Sequence, residues 1–120
     1  MRVTEGFQEF VLDQLSGVTG VRARAMFGGV GLYAADVFFG ILAADTLYFK
    51  VGDVNRGEYE KAGSSPFTPY DDRPMTMPYY NVPAAVLEDA DTLAAWARRS
   101  IGVAVSSRKP AKPAKSARRR

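Results

Sequence analysis

Between Arg24 and Val51 the sequence RAMFGGVGLYAADVFFGILAADTLYFKV packs aromatic and branched apolar residues more densely than any other stretch of the chain. Side chains of that kind fit a pleated, half-buried surface, so the centre of the molecule is expected to be an antiparallel sheet. Arg24, Met26, Leu32, Leu47, Phe49 and Val51 alternate with more polar or aromatic neighbours, which is the period of strands buried on one face. Ala35-Asp36 and Ala44-Asp45 read as turns. Gly28-Gly29 admits two readings: a two-residue hairpin turn, or a bulge within one long strand from about Arg24 to Ala34. The bulge is preferred, because a turn there leaves Val30 to Ala34 as a strand of only five residues.

Helical spacing flanks this segment. Phe7, Phe10, Val11, Gln14 and Leu15 follow the i, i+3, i+4, i+7 pattern, which predicts a helix over residues 4–15 with Thr4 as N-cap and with Phe7 and Phe10 buried against the sheet. Ser16-Gly17 ends it. Asp53 is the expected cap of a short helix over 54–62 that turns Val54, Tyr59 and Ala62 inward, with Gly63 in the left-handed position after its end. Two short strands follow, Phe67 to Tyr70 and Met75 to Val82. Pro69, Pro74 and Pro78 lack ladder donors, which places these strands at a sheet edge or makes them bulged. Pro83 opens a helical turn at Ala84 to Leu87. Asp89 or Asp91 then caps a longer helix with Leu93, Trp96, Ala97 and Ile101 on one face, and Trp96 reads as a core anchor.

Charge divides the chain in two. Residues 1–105 hold nine Lys/Arg against thirteen Asp/Glu, a net of −4, whereas residues 106–120 hold seven Lys/Arg and no acid, a net of +7. The tail, SSRKPAKPAKSARRR, has no hydrophobe larger than alanine and cannot bury enough apolar surface to fold. The expected organisation is therefore one domain, 1–105, and a disordered basic tail, 106–120. A body of this size hides only roughly 60–70% of its unfolded surface, so pairing with a second copy would help it.

The same composition narrows the chemistry. The chain has neither cysteine nor histidine, which excludes disulfides, Ser-His-Asp and Cys-His catalysis, and zinc sites of thiolate or imidazole. Carboxylates alone could hold a metal at Asp71-Asp72 or Glu88-Asp89-Asp91, but a solvated turn and a helix N-terminus explain those acids better. The glycines of MFGGVGLY lack both GK[ST] and G-x-G-x-x-G and run into strand, so they are structural. Ser64 and Ser65 have no evident base and read as loop. Tyr33, Phe38, Tyr48, Tyr79 and Tyr80 could stack bases, yet only Arg22, Arg24 and Lys50 lie near, and core packing or a protein interface is the better account.

No catalytic residue, metal site or cofactor is expected. The first residues enter an amphipathic pattern containing acids, so no signal peptide is expected. The longest apolar run, Val37 to Ala44, falls far below the ~20 residues a membrane helix needs. A cytoplasmic location fits the cysteine usage. The tail cations Arg108, Lys109, Lys112, Lys115, Arg118, Arg119 and Arg120 are the candidate nucleic-acid contacts. If all seven met phosphates, affinity would fall with salt at a slope of up to about −6, without reading bases. The competing account of the tail is a solubilising appendage.

RAMFGGVGLY, VFFGILAADTLYFKV, VNRGEYEKAGSSPFTPY and MTMPYYNVPAAVLEDADTLAAWARRS occur in an order that resembles the N-terminal domain of the TfoX/Sxy family, over roughly residues 5–102. That family is named for regulators of bacterial natural competence. The resemblance implies an α+β fold with a two-layer, five-stranded antiparallel sheet in the order α-β-β-β-α-β-β-α, similar to secretion chaperones. It also implies a non-enzymatic regulator or co-activator of transcription that works through protein contacts, here expected as a homodimer formed through an exposed strand or aromatic face. The alternative is non-specific DNA or RNA binding through the tail. The best-known regulators carry a second, helical domain where this chain carries basic residues.

Overall fold

The computed structural model describes residues 3–26, 29–67 and 77–107. Helix α1 spans Glu5–Gln14, and the Thr4 Oγ1 accepts the Phe7 N–H at 3.3 Å, as its cap position requires. Val11 and Leu15 are sealed and Phe7 is half-buried, but Phe10 is 41% exposed. The expectation that Phe10 lies against the sheet is thus corrected. Val11 and Leu15 centre the buried stripe, and Phe10, one residue before Val11, is turned about 100° away from it. Thr4 is also held from outside the helix: its N–H donates to Asp45 Oδ1 at 2.8 Å and its hydroxyl to Asp45 Oδ2 at 3.1 Å.

Six strands form one antiparallel sheet: β1 (Val21–Met26), β2 (Gly29–Ala34), β3 (Val37–Ala43), β4 (Thr46–Lys50), β5 (Pro66–Phe67) and β6 (Met77–Asn81), in the order β1-β2-β3-β4-β6-β5. The expected count of five fails at one place. β1 and β2 pair antiparallel with Met26 opposite Gly29, so the chain reverses between them and the single bulged strand over 24–34 does not exist. Shortness is no obstacle to β2, because it is laddered on both sides, by β1 and by β3. A register shift does occur in β2, but at Leu32/Tyr33 against β3.

The other two hairpins fall where expected. Ala34 is opposite Val37 and Ala43 opposite Thr46. Ala44 and Asp45 both have φ of +51°, the mirror-image turn that suits right-handed strand twist, achieved without glycine. Asp45 tolerates that conformation, and its carboxylate is the group that holds Thr4.

Helix α2 (Arg56–Lys61) begins two residues later than expected. The polar group that organises its start is Asn55, 1% exposed, whose Oδ1 accepts the Gly52 N–H at 2.8 Å and whose Nδ2 donates to Lys50 O at 3.1 Å. Asp53 instead pairs with Arg56 at the surface, 2.9 Å apart. Val54 therefore precedes the helix and is 83% exposed, and Ala62 is exposed as well, so of the three residues expected inward only Tyr59 is buried. Gly63 has φ of +78°, its N–H reaching Glu60 O and the Ser64 N–H reaching Tyr59 O, which closes the helix end as anticipated.

After β6, Pro83 precedes α3 (Ala84–Leu87) and Asp89 precedes α4 (Ala90–Ser107), its Oδ1 accepting the Thr92 N–H at 3.4 Å. Leu93, Ala94, Ala97, Ser100, Val103 and Ala104 form the buried face of α4. Trp96 is only half-buried, edge-on to Tyr59 at 4.7 Å, so the helix is anchored mainly by small residues that let it lie on β3 and β4. α4 continues through Ser106 and Ser107. The proline-bearing strands lie at one end of the sheet: β5 is an edge strand of two residues with a register shift between Pro66 and Phe67. Residues 68–76, including Asp71 and Asp72, and the tail cations from Arg108 to Arg120 lie outside the described residues. Among the described residues, no helix is long and apolar enough to cross a membrane.

Candidate interaction face

Strand alternation gives the sheet two different faces. The main core gathers Leu32, Phe39, Leu42, Leu47, Phe49 and Val51 with Val11, Leu15 and Leu93 of the helices. A second, separate cluster forms on the opposite face: Ile41, Ala43, Phe67 and Tyr79 are buried, with Phe38 and Tyr48 half-buried beside them. Ring contacts knit it together. Tyr33 and Phe38 lie 5.2 Å apart between centroids, Phe38 and Tyr79 5.6 Å, and Tyr48 and Phe67 4.8 Å, all tilted. Lys50 Nζ stands 5.3 Å from the centroid of the Tyr79 ring, within the range of cation–π attraction.

Gly31 explains how the rings close in. A Cβ at that position would meet Met26 Sδ at 2.6 Å, Phe38 Cε1 at 3.0 Å and Tyr33 Cε1 at 3.3 Å. Burial pushes the Tyr79 hydroxyl up to about 12, with Tyr33 adding in the same direction. Arg22 lies opposite Tyr33 and Arg24 opposite Gly31 in the β1–β2 register. With Ala23 and Tyr33 they line a hollow of about 220 Å³, and the Arg22 Nη2 donates to Ala35 O at 2.9 Å.

Of the five aromatics grouped from sequence, Tyr33, Phe38, Tyr48 and Tyr79 share this face and Tyr80 does not. Tyr80 packs in the main core, 6.0 Å from the Tyr59 ring, because neighbours in a strand point to opposite sides. Phe67, Ile41 and Ala43 were missed. The signal available for Ile41 and Ala43 was their alternation with the buried Leu42.

Glu88 ends α3 and Asp89 precedes α4, and among the described residues no three Asp, Glu, His or Cys could share a metal ion. Ser64 donates its N–H to Tyr59 O, and its buried hydroxyl finds no partner among the described residues. A second hollow, about 370 Å³, lies between Gly52, Asp53 and Val54 on one side and Arg99, Gly102, Val103, Ser106 and Ser107 at the end of α4. Burial pushes the Tyr59 hydroxyl far above its usual range, opposed by Ser100. Both hydroxyls are buried without a hydrogen bond of good geometry.

A family model described as the TfoX N-terminal domain matches residues 13–104, which runs from the end of α1 nearly to the end of α4. No curated protein matches the chain.

Proposed function

Because this chain belongs to the TfoX N-terminal domain family, we propose that it is a cytoplasmic, non-enzymatic regulatory domain that works by holding another protein. The observation that carries the reading is the second aromatic cluster, built on the sheet face away from the main core. Its rim of Tyr33, Phe38 and Tyr48 is half-buried, and cationic Arg22, Arg24 and Lys50 stand around it. Tyrosine, phenylalanine and arginine are the residues that protein interfaces enrich. The absence of histidine and cysteine removes most groups that titrate near neutrality.

Photocrosslinking tests it. A photoreactive residue placed at Tyr33 or Tyr48 is expected to give protein adducts in native lysate that survive nuclease, while one placed at the exposed Glu9 of α1 gives none. Adducts from position 9 alone, or adducts that vanish with nuclease, overturn the reading. Light scattering over a range of concentrations shows whether the partner is a second copy, as a homodimer would require.

The second reading assigns nucleic-acid binding to the seven cations between Arg108 and Arg120, which no acid offsets. Gel-shift titration at several salt concentrations, with and without residues 106–120, separates the two. Equal binding by the truncated chain ends the tail-driven reading.

A further inference from the structure

Among the described residues the sheet has two edges, and they are unlike. β5 offers two residues, one of them Pro66, whereas β1 offers six. The hydrogen bond from the Ala35 N–H to Gly20 O, 3.1 Å, fixes which backbone groups of β1 face outward. Antiparallel ladders alternate, so Arg22–Tyr33, Arg24–Gly31 and Met26–Gly29 continue the bonded pairs, and the N–H and C=O of Val21, Ala23 and Ala25 point away from β2. Among the described residues, no other segment hydrogen-bonds these groups. Val21 and Ala23 turn their side chains into the main core, while the exposed Arg22 and Arg24 lie on the other face, at i and i+2.

A second copy is a poor occupant of this edge. Symmetric antiparallel pairing centred on residue 22, 23 or 24 sets Arg22 against Arg22, Arg22 against Arg24, or Arg24 against Arg24, and like charges directly opposite are destabilising. A nucleic acid would meet two arginines but could not use the alternating donors and acceptors of the backbone. An acidic strand satisfies both. We propose that the outer edge of β1 takes an extended acidic segment of a partner protein as a seventh strand, with carboxylates at alternate positions on Arg22 and Arg24 and main-chain bonds to Val21, Ala23 and Ala25. This rests on the chain being an interaction domain; it shares Arg22 and Arg24 with the rim of the aromatic cluster but uses the backbone edge and not the rings.

The probe is a synthetic ten-residue peptide of alternating Glu and Val, with a Lys-Val peptide as control. Followed by amide exchange on the full chain, the Glu-Val peptide is expected to slow the Val21, Ala23 and Ala25 amides by about tenfold or more, and the control to leave them unchanged. Arg22→Glu with Arg24→Glu should reverse the preference between the peptides, and Arg22→Gln with Arg24→Gln should weaken binding without reversing it. Both sites are exposed, and circular dichroism verifies that each variant folds. Equal response to the two peptides, protection elsewhere, or binding that survives charge reversal overturns the proposal. So does protection of these amides by the chain's own concentration, or by an oligothymidine when the peptide gives none. Peptide binding without crosslinks from positions 33 and 48 would remove the aromatic face and leave the edge, and the converse result would do the reverse.

Discussion

On the helix-covered face of the sheet, Leu32, Phe39, Leu42, Leu47 and Phe49 are sealed at 2% exposure or less. On the opposite face Tyr33, Phe38 and Tyr48 stop half-buried around Ile41, Ala43, Phe67 and Tyr79. β2, β3 and β4 supply both faces, with Tyr79 of β6 and Phe67 of the edge strand β5 added to the second, so the difference lies mainly in what each shared strand puts on alternate positions. One side carries leucine and phenylalanine that are sealed from water. The other carries Tyr33 and Tyr48, whose rings pack and whose hydroxyls can stay wet, beside the buried Tyr79. The first face holds the fold, and the second has apolar area left over for contact.

The strongest way to break that contrast is truncation. Phe39→Ala or Phe49→Ala should each cost about 3–5 kcal/mol, read by denaturant unfolding, because both rings are 0% exposed and 5.7 Å apart in the main core. Tyr33→Ala should cost less than half of that. Equal losses would mean that both faces are core and that no surface is reserved.

Glycine substitution sharpens the far side next. An alanine Cβ at Gly29 would stand 2.6 Å from Leu42 O, a backbone atom that cannot step aside, and about 1–3 kcal/mol should be lost. Gly31→Ala meets a methionine end and two ring edges, which can give, so its melting temperature should fall less.

Alkali then compares one buried phenol from each face. Burial pushes the Tyr79 hydroxyl up to about 12 and the Tyr59 hydroxyl further, against about 10 when unfolded. The folded state thus keeps protons that the unfolded state releases, and stability is full below pH 10 and falls as pH rises from 10 through 12. Tyr79→Phe should remove on the order of 2 kcal/mol of that fall, followed by phenolate absorbance and unfolding together. The smallest expected effect is on the outer surface of the helix layer. There the two-pronged Arg99–Glu58 pair, 2.8 and 2.9 Å, should show a coupling of about 0.2–1 kcal/mol in a double-mutant cycle.

What could be read from sequence was what local chemistry decides alone. Thr4 and Asp89 cap, Gly63 closes α2, the turns at Ala35 and Ala44 reverse the chain, and Tyr59 points inward. The misreadings arose where a partner strand or a distant group decides. From sequence Gly28-Gly29 reads as a bulge because ladder support for β2 from both sides is invisible in one strand's length. Val54 reads as helical because Asp53 is a good cap, whereas buried Asn55 ties the segment to Lys50 and Gly52. The aromatic face was half legible. The residue types announce it, but Tyr80 is excluded only by alternation, and Phe67, read as the start of a strand, is assigned to this face only by the pairing of β5 with β6.

The inequality of the two sheet margins bears on stoichiometry. An open-ended filament needs every molecule to offer two usable borders, one to receive and one to be received. Among the described residues this sheet offers one long border, at β1, and on the other side a two-residue stub closed by Pro66. Among the described residues, strand addition therefore has one long border of this chain to use: a guest there would bring its own outer edge, so any further growth would depend on the guest and not on a second border of this sheet.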